Sequence, residues 1–203
     1  MTAIAFYTTG DTDPACPGVP QSPSITSGYR TLANHFAPGH AHGVPSIYDA
    51  VRVLRDYTNG QPPVLFSEIH FVGHGEPDGR YVFGGRRDQT PNHRFHNGGQ
   101  WCTTANSAID MFLDALVAAS RAPSPNGRVR IFLHACWSAN GGSNGGRFAQ
   151  EISDGFRRRR GPHGEILGAP GQVITHVTCV MMRNGQIGIQ ATQRTNMQVV
   201  LSW

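Results

Sequence analysis

The sequence is poor in charge and in cysteine, and it lacks the signals of several specialised classes. Charged residues make up 15% of the 203, and the four cysteines (Cys16, Cys102, Cys136 and Cys179) form no CxxC pair. A structural zinc site of the usual spacing is therefore not expected. No stretch reaches the roughly 18 apolar residues of a membrane-spanning helix. The first residues, Met-Thr-Ala-Ile-Ala-Phe-Tyr-Thr-Thr-Gly-Asp, lack the basic start and long apolar run of a secretory signal. A cytoplasmic, thiol-preserving compartment is expected, or export without an N-terminal Sec signal. The glycine-rich Gly141–Gly146 lacks the Gly-Lys-Ser/Thr ending of a phosphate loop. The formal charge of +4 is mild and partly concentrated in Arg157–Arg160, so no nucleic-acid face is read from it. That run reads as a solvated helix end, with a basic processing site as the sharper alternative.

What is present suits one domain over residues 1–203, with 38% hydrophobic residues. The 25 glycines and 14 prolines imply long loops on a compact sheet. Thr2–Thr9 reads as a strand. Asp11 to Val44 reads as a long loop rich in Pro, Gly and Ser, of the kind that is often functional. Ser46 caps a helix reaching Tyr57, with Asp49 three residues on and Ile47, Ala50, Val51, Leu54 and Tyr57 on one face. Val64–Val72 is a second strand, ending in His74-Gly75. Tyr81–Phe83 reads as a short hairpin strand and Gly84 to Cys102 as a second polar loop. Ser107–Ser120 is a helix and Val129–Ala135 a third strand, which leads into Cys136. Arg147–Arg160 is a helix with Phe148, Ile152 and Phe156 on one face. Gly161–Gly171 reads as a loop and Val173–Met182 as a fourth strand of the parallel sheet. Asn184-Gly185 signals a hairpin returning through Gln186–Ala191, and Asn196–Trp203 is a last strand. This alternation predicts an α/β fold, a three-layer α/β/α sandwich around a mainly parallel sheet.

In such sheets reactive groups gather at the carboxyl ends of the strands, where both His74 and Cys136 fall. A thiol attacks as its thiolate, which a nearby imidazole favours. Cys136 is therefore the candidate nucleophile and His74 the candidate general acid/base. Gly75 has no side chain to hinder its amide, so with the amide of Cys136 it is a candidate oxyanion donor. An apolar strand ending in His-Gly, followed by one ending in Ala-Cys, resembles the caspase-like cysteine peptidases. That clan includes caspases, metacaspases, legumains, gingipains, CHAT-type peptidases and self-processing toxin domains. His74 precedes Cys136 by 62 residues with one helix between, against about 50 in caspases.

The resemblance implies a caspase-like fold, from the first strand to about Met182, and a cysteine endopeptidase acting on a polypeptide. It implies no cofactor, metal, nucleic acid or membrane, and a setting as a small bacterial effector, toxin or death protease. After Cys136 comes Trp-Ser-Ala-Asn-Gly-Gly rather than Arg-Gly, so aspartate specificity is not implied. An inactive caspase-like binding module and a histidine-bound metal hydrolase are the alternatives.

The remaining candidates read as structural. His70 and His134 are expected on a sheet face, and Cys179 in the core of a parallel strand. His35, His40, His42, His93 and His96 are expected as solvated loop histidines. A link between Cys16 and Cys102 is conceivable, but a reducing compartment disfavours it. Asp49, Glu68, Glu76 and Asp78 are possible polar neighbours of His74.

Overall fold

The structure is a computed structural model that describes residues 2–10, 14–16, 18, 22–75, 101–136, 138, 147–169, 174–184, 186–194 and 197–203. Its order is β1 (Ala3–Thr8), α1 (Ile25–Phe36), β2 (Ala41–Val44), α2 (Ile47–Asn59), β3 (Glu68–Val72) and α3 (Trp101–Ala118). β4 (Val129–His134), α4 (Arg147–Arg158), β5 (Gly164–Gly168), β6 (Ile174–Met181), β7 (Ile187–Arg194) and β8 (Gln198–Ser202) follow. The central sheet has six strands in the order β2-β1-β3-β4-β5-β8. Its first five strands are parallel and β8 is antiparallel to β5. The expected α/β class with a mainly parallel sheet is thus what the chain forms.

Alternation along the strands divides the core between two faces. Ile4, Phe6, Ile69, Phe71, Ile131, Leu133 and Ile166 meet the apolar faces of α2, α3 and α4. Phe71 lies edge-on to Phe112 of α3 and Phe148 of α4, with centroids 6.0 and 5.2 Å apart. On the opposite face Ala5 and Val72 pack under Tyr29, Leu32 and Ala33 of α1. Ser46 caps α2 as expected, its Oγ accepting from the Asp49 amide at 3.3 Å.

Several boundaries differ from the sequence reading. The supposed loop from Asp11 to Val44 contains α1 and β2. Tyr29, Leu32, Ala33 and Phe36 carry helical spacing there, but Thr26, Ser27, Gly28 and Asn34 weaken the local propensity. α3 begins at Trp101 rather than Ser107, so the backbone of Cys102 is helical and not in a loop. The fifth parallel strand is β5, within the supposed loop Gly161–Gly171. The stretch read as a fourth parallel strand is β6, which pairs only with β7 in an antiparallel hairpin outside the central sheet. β8 occupies the open edge of β5, so β6 has no parallel partner there.

The hairpin packs on α1 through β7, with Ala191 joining the α1 cluster. A disulfide between Cys16 and Cys179 ties it to the segment ahead of α1, with Cα atoms 6.4 Å apart. Cys179 is therefore half-buried and cross-linked rather than a core thiol, and the partner of Cys16 is not Cys102. Arg157–Arg160 is also not uniformly solvated. Arg159 donates to Asp110 at 2.9 Å and to Asp114 on α3, and Arg157 reaches the Ser202 carbonyl at 3.1 Å. Tyr81–Phe83, most of Gly84–Cys102 and Gly141–Gly146 lie outside the described residues.

Candidate active site

β3 and β4 are the two middle strands of the sheet, and their register pairs Glu68 with Arg130 through Val72 with His134. That offset, carried two residues further, sets position 74 opposite position 136. The Gly73 amide continues the contact beyond the strands by donating to the His134 carbonyl at 3.3 Å. Positions 70, 72 and 74 of one strand and 132, 134 and 136 of the other share a face, the one covered by α1.

Gly75 closes the approach. A Cβ added there would run into the Cys136 carbonyl oxygen and lie 3.1 Å from both its nitrogen and its carbonyl carbon. Those are backbone atoms and cannot rotate away. The glycine is required by proximity, since its φ lies outside the left-handed region. Sequence reasoning assigned Gly75 a role toward substrate; the geometry supplies a prior reason, that two strand ends can touch.

Cys136 carries a half-buried thiol that is not in a disulfide. It follows the buried Ala135 and opens a tight turn in which the Ser138 amide donates to the Ala135 carbonyl at 3.3 Å. Ser138 anchors that turn from within. Its buried hydroxyl donates to the Leu133 carbonyl at 2.9 Å and accepts from the Ala169 amide at 3.0 Å. The turn that Cys136 opens is thereby fastened to the ends of both β4 and β5.

His74 is half-buried and meets a residue that the sequence did not nominate. The Tyr29 hydroxyl lies 3.3 Å from His74 Nδ1 and 3.4 Å from Nε2, with the two rings edge-on and centroids 5.4 Å apart. The hydroxyl has one proton and the two ring nitrogens point apart, so the contact amounts to at most one weak hydrogen bond at a time. Helical spacing within α1 was the signal that could have found Tyr29. The two described acidic candidates, Glu68 and Asp49, do not take this place. Glu68 pairs with Arg130 at 3.4 Å at the other end of β3, and Asp49 engages Ser46 and Arg52. Glu76 and Asp78 lie outside the described residues.

Further down the same face His70, in register with Phe132, and His134, in register with Val72, are buried as expected and meet diagonally, with His70 Nδ1 3.0 Å from His134 Nε2. Phe36 stacks on both rings, and His70 also stacks on Phe132 at 4.6 Å. Burial, with repulsion from His134 and Arg130, pushes the His70 pKa down to about 3. His70 is thus neutral and structural at ordinary pH, and it supports the α1 side of the site.

No group of three His, Cys, Asp or Glu residues is placed to hold a metal among the described residues. A cleft of about 840 Å³, lined by Thr2, Pro63, Ser67 and Arg121 among others, lies at the opposite edge where the strands begin. No helix among the described residues is long and apolar enough to cross a membrane. No protein-family model, curated protein or solved structure matches the chain.

Proposed function

We propose that the chain is a cysteine endopeptidase of caspase-like type, with Cys136 as nucleophile and His74 as general acid/base. The observation that carries this reading is the contact of the two strand ends: matched register, with Gly75 against the Cys136 backbone. The Cys136 thiolate attacks the scissile carbonyl carbon, and the negative charge moves to the carbonyl oxygen. The amides of Gly75 and Cys136 are the proposed donors to that oxygen. The C–N bond then breaks as protonated His74 delivers its proton to the leaving amine, which leaves a thioester on Cys136. His74 next accepts a proton from water, the hydroxide adds, the C–S bond breaks and the thiolate returns. Tyr29 is a positioning residue that limits rotation of the His74 ring.

The Cys16–Cys179 disulfide supports work in an oxidising compartment, which favours export over a cytoplasmic setting. The test is labelling with a thiol-reactive peptidyl probe, followed by a cleavage-site profile of a peptide library. Selective modification of Cys136, lost in His74→Ala, and cleavage lost in Cys136→Ala are the expected results. Equal labelling of every reduced cysteine, unchanged in His74→Ala, removes the activated-thiolate reading. Selective labelling without cleavage of any peptide favours the binding module.

A further inference from the structure

Of the expected solvated loop histidines, His42 lies in a strand, and both His40 and His42 are half-buried. His40 directly precedes the edge strand β2 and His42 lies within it, and alternation turns both toward the face packed by α2. Both converge on one oxygen. His40 Nδ1 and His42 Nε2 each lie 2.9 Å from the hydroxyl of Tyr57 on α2. Packing holds the arrangement, with Tyr57 edge-on to Phe66 at 5.1 Å and His40 edge-on to the same ring at 5.9 Å. A phenol has one proton, so it donates to only one imidazole while the other imidazole donates to it. Three donor atoms thus share two protons around a single centre.

We propose that His40 Nδ1, His42 Nε2 and Tyr57 Oη form a binding site for one divalent late transition metal ion, of the Zn(II) or Cu(II) class. Imidazole nitrogens suit both ions, and phenolate adds an anionic oxygen donor. Metal–ligand bonds of about 2.0–2.1 Å in tetrahedral geometry set donors about 3.3 Å apart. The two observed nitrogen–oxygen separations of 2.9 Å are a few tenths shorter, so those two contacts lengthen slightly when a cation replaces the shared protons. Binding releases the phenol proton to solvent, and the imidazole that donated to the phenol carries its proton on its other nitrogen. A cleft of about 500 Å³, lined by His42, Gly43, Arg52, Asp56 and Tyr57, gives entry and room for water as a further ligand. Arg52 at the same cleft is paired with Asp49 at 3.5 Å. The bound ion would clamp the edge strand to α2.

The experiment uses the full chain, stripped with a chelator and alkylated so that no thiol competes. It is titrated with Cu(II) against glycine, and separately with Zn(II) while thermal unfolding is followed. The expected result is one equivalent of Cu(II) with a tyrosinate-to-copper charge-transfer band. Tyr57→Phe should lose that band, and His42→Ala should bind at least tenfold more weakly. Zn(II) should raise the melting temperature of the wild type but not of the His40→Ala/His42→Ala double variant. Absence of saturable binding at one equivalent overturns the proposal, as does a double variant that binds and is stabilised like the wild type. A charge-transfer band that persists in Tyr57→Phe overturns it as well. Cys136 is blocked throughout, so the outcome is independent of the peptidase reading.

Discussion

Acidification tests the buried imidazole pair most directly. His70 is held neutral between stacked rings, its pKa near 3 against an ordinary 6.5, and its Nε2 is buried without a hydrogen-bond partner among the described residues. As pH falls through 6.5 the unfolded chain takes up a proton on this ring, whereas the folded protein does not until about pH 3. Within that window the unfolded state binds more protons, so stability is full above pH 6.5 and declines as pH drops. Each pKa unit corresponds to about 1.4 kcal/mol, so lowering pH from 7 to 5 costs roughly 2 kcal/mol through His70 alone. The loss saturates at roughly 4–5 kcal/mol near pH 3, where protonating carboxylates add their own effects.

The pH 7 to 5 interval is therefore the clean one. Urea unfolding of the oxidised protein at those two pH values should show a midpoint drop of about 0.7–1 M, for a slope of about 2–3 kcal/mol/M at this size. His70→Asn keeps an amide to meet His134 but cannot titrate. Its own stability at pH 7 will be lower, yet its decline to pH 5 should be smaller by roughly 2 kcal/mol. A parallel decline in both proteins would refute the assignment to His70.

Gly75→Ala forces a methyl group into the Cys136 carbonyl. It should cost about 1–3 kcal/mol as overpacking and slow probe labelling of Cys136 on the order of 100-fold through misplacement; labelling kinetics and thermal melts read both. Tyr29→Phe removes the hydroxyl at His74, and should lower the labelling rate roughly three- to tenfold while stability falls by no more than about 1 kcal/mol. A labelling pH profile identical to wild type would count against its positioning role. Reduction of Cys16–Cys179 opens a closure with a sequence separation of 163 residues, and should lower stability by about 2–5 kcal/mol, as denaturation with and without reductant would show. Arg159→Ala removes the contacts that the residue following α4 makes with Asp110 and Asp114; because both carboxylates are largely exposed, urea unfolding should register no more than about 1 kcal/mol.

Long apolar patterns were legible in the sequence because their physics is local. The α2 face with its Ser46 cap, the α4 face of Phe148, Ile152 and Phe156, and the strands leading to His74 and Cys136 each declare themselves within a dozen residues. So did the placement of both candidate catalytic residues at strand ends. α1, β2 and β5 were not legible. Their residues are poor formers or too short a run, and their stability comes from surfaces elsewhere: the Val72 face for α1, the β1 edge for β2, and β4 with β8 for β5.

The site divides in the same way. The sequence by itself determined that a histidine and a cysteine would end two apolar strands. Only the tertiary structure decided that those strands are neighbours in matched register and that Gly75 must lack a side chain against Cys136. It also decided that Tyr29 arrives from a helix across the sheet and that Cys16 meets Cys179 rather than Cys102. Periodicity reports what each segment buries. Which segment it buries against depends on how sheet edges and faces are filled, and that is settled over the whole chain.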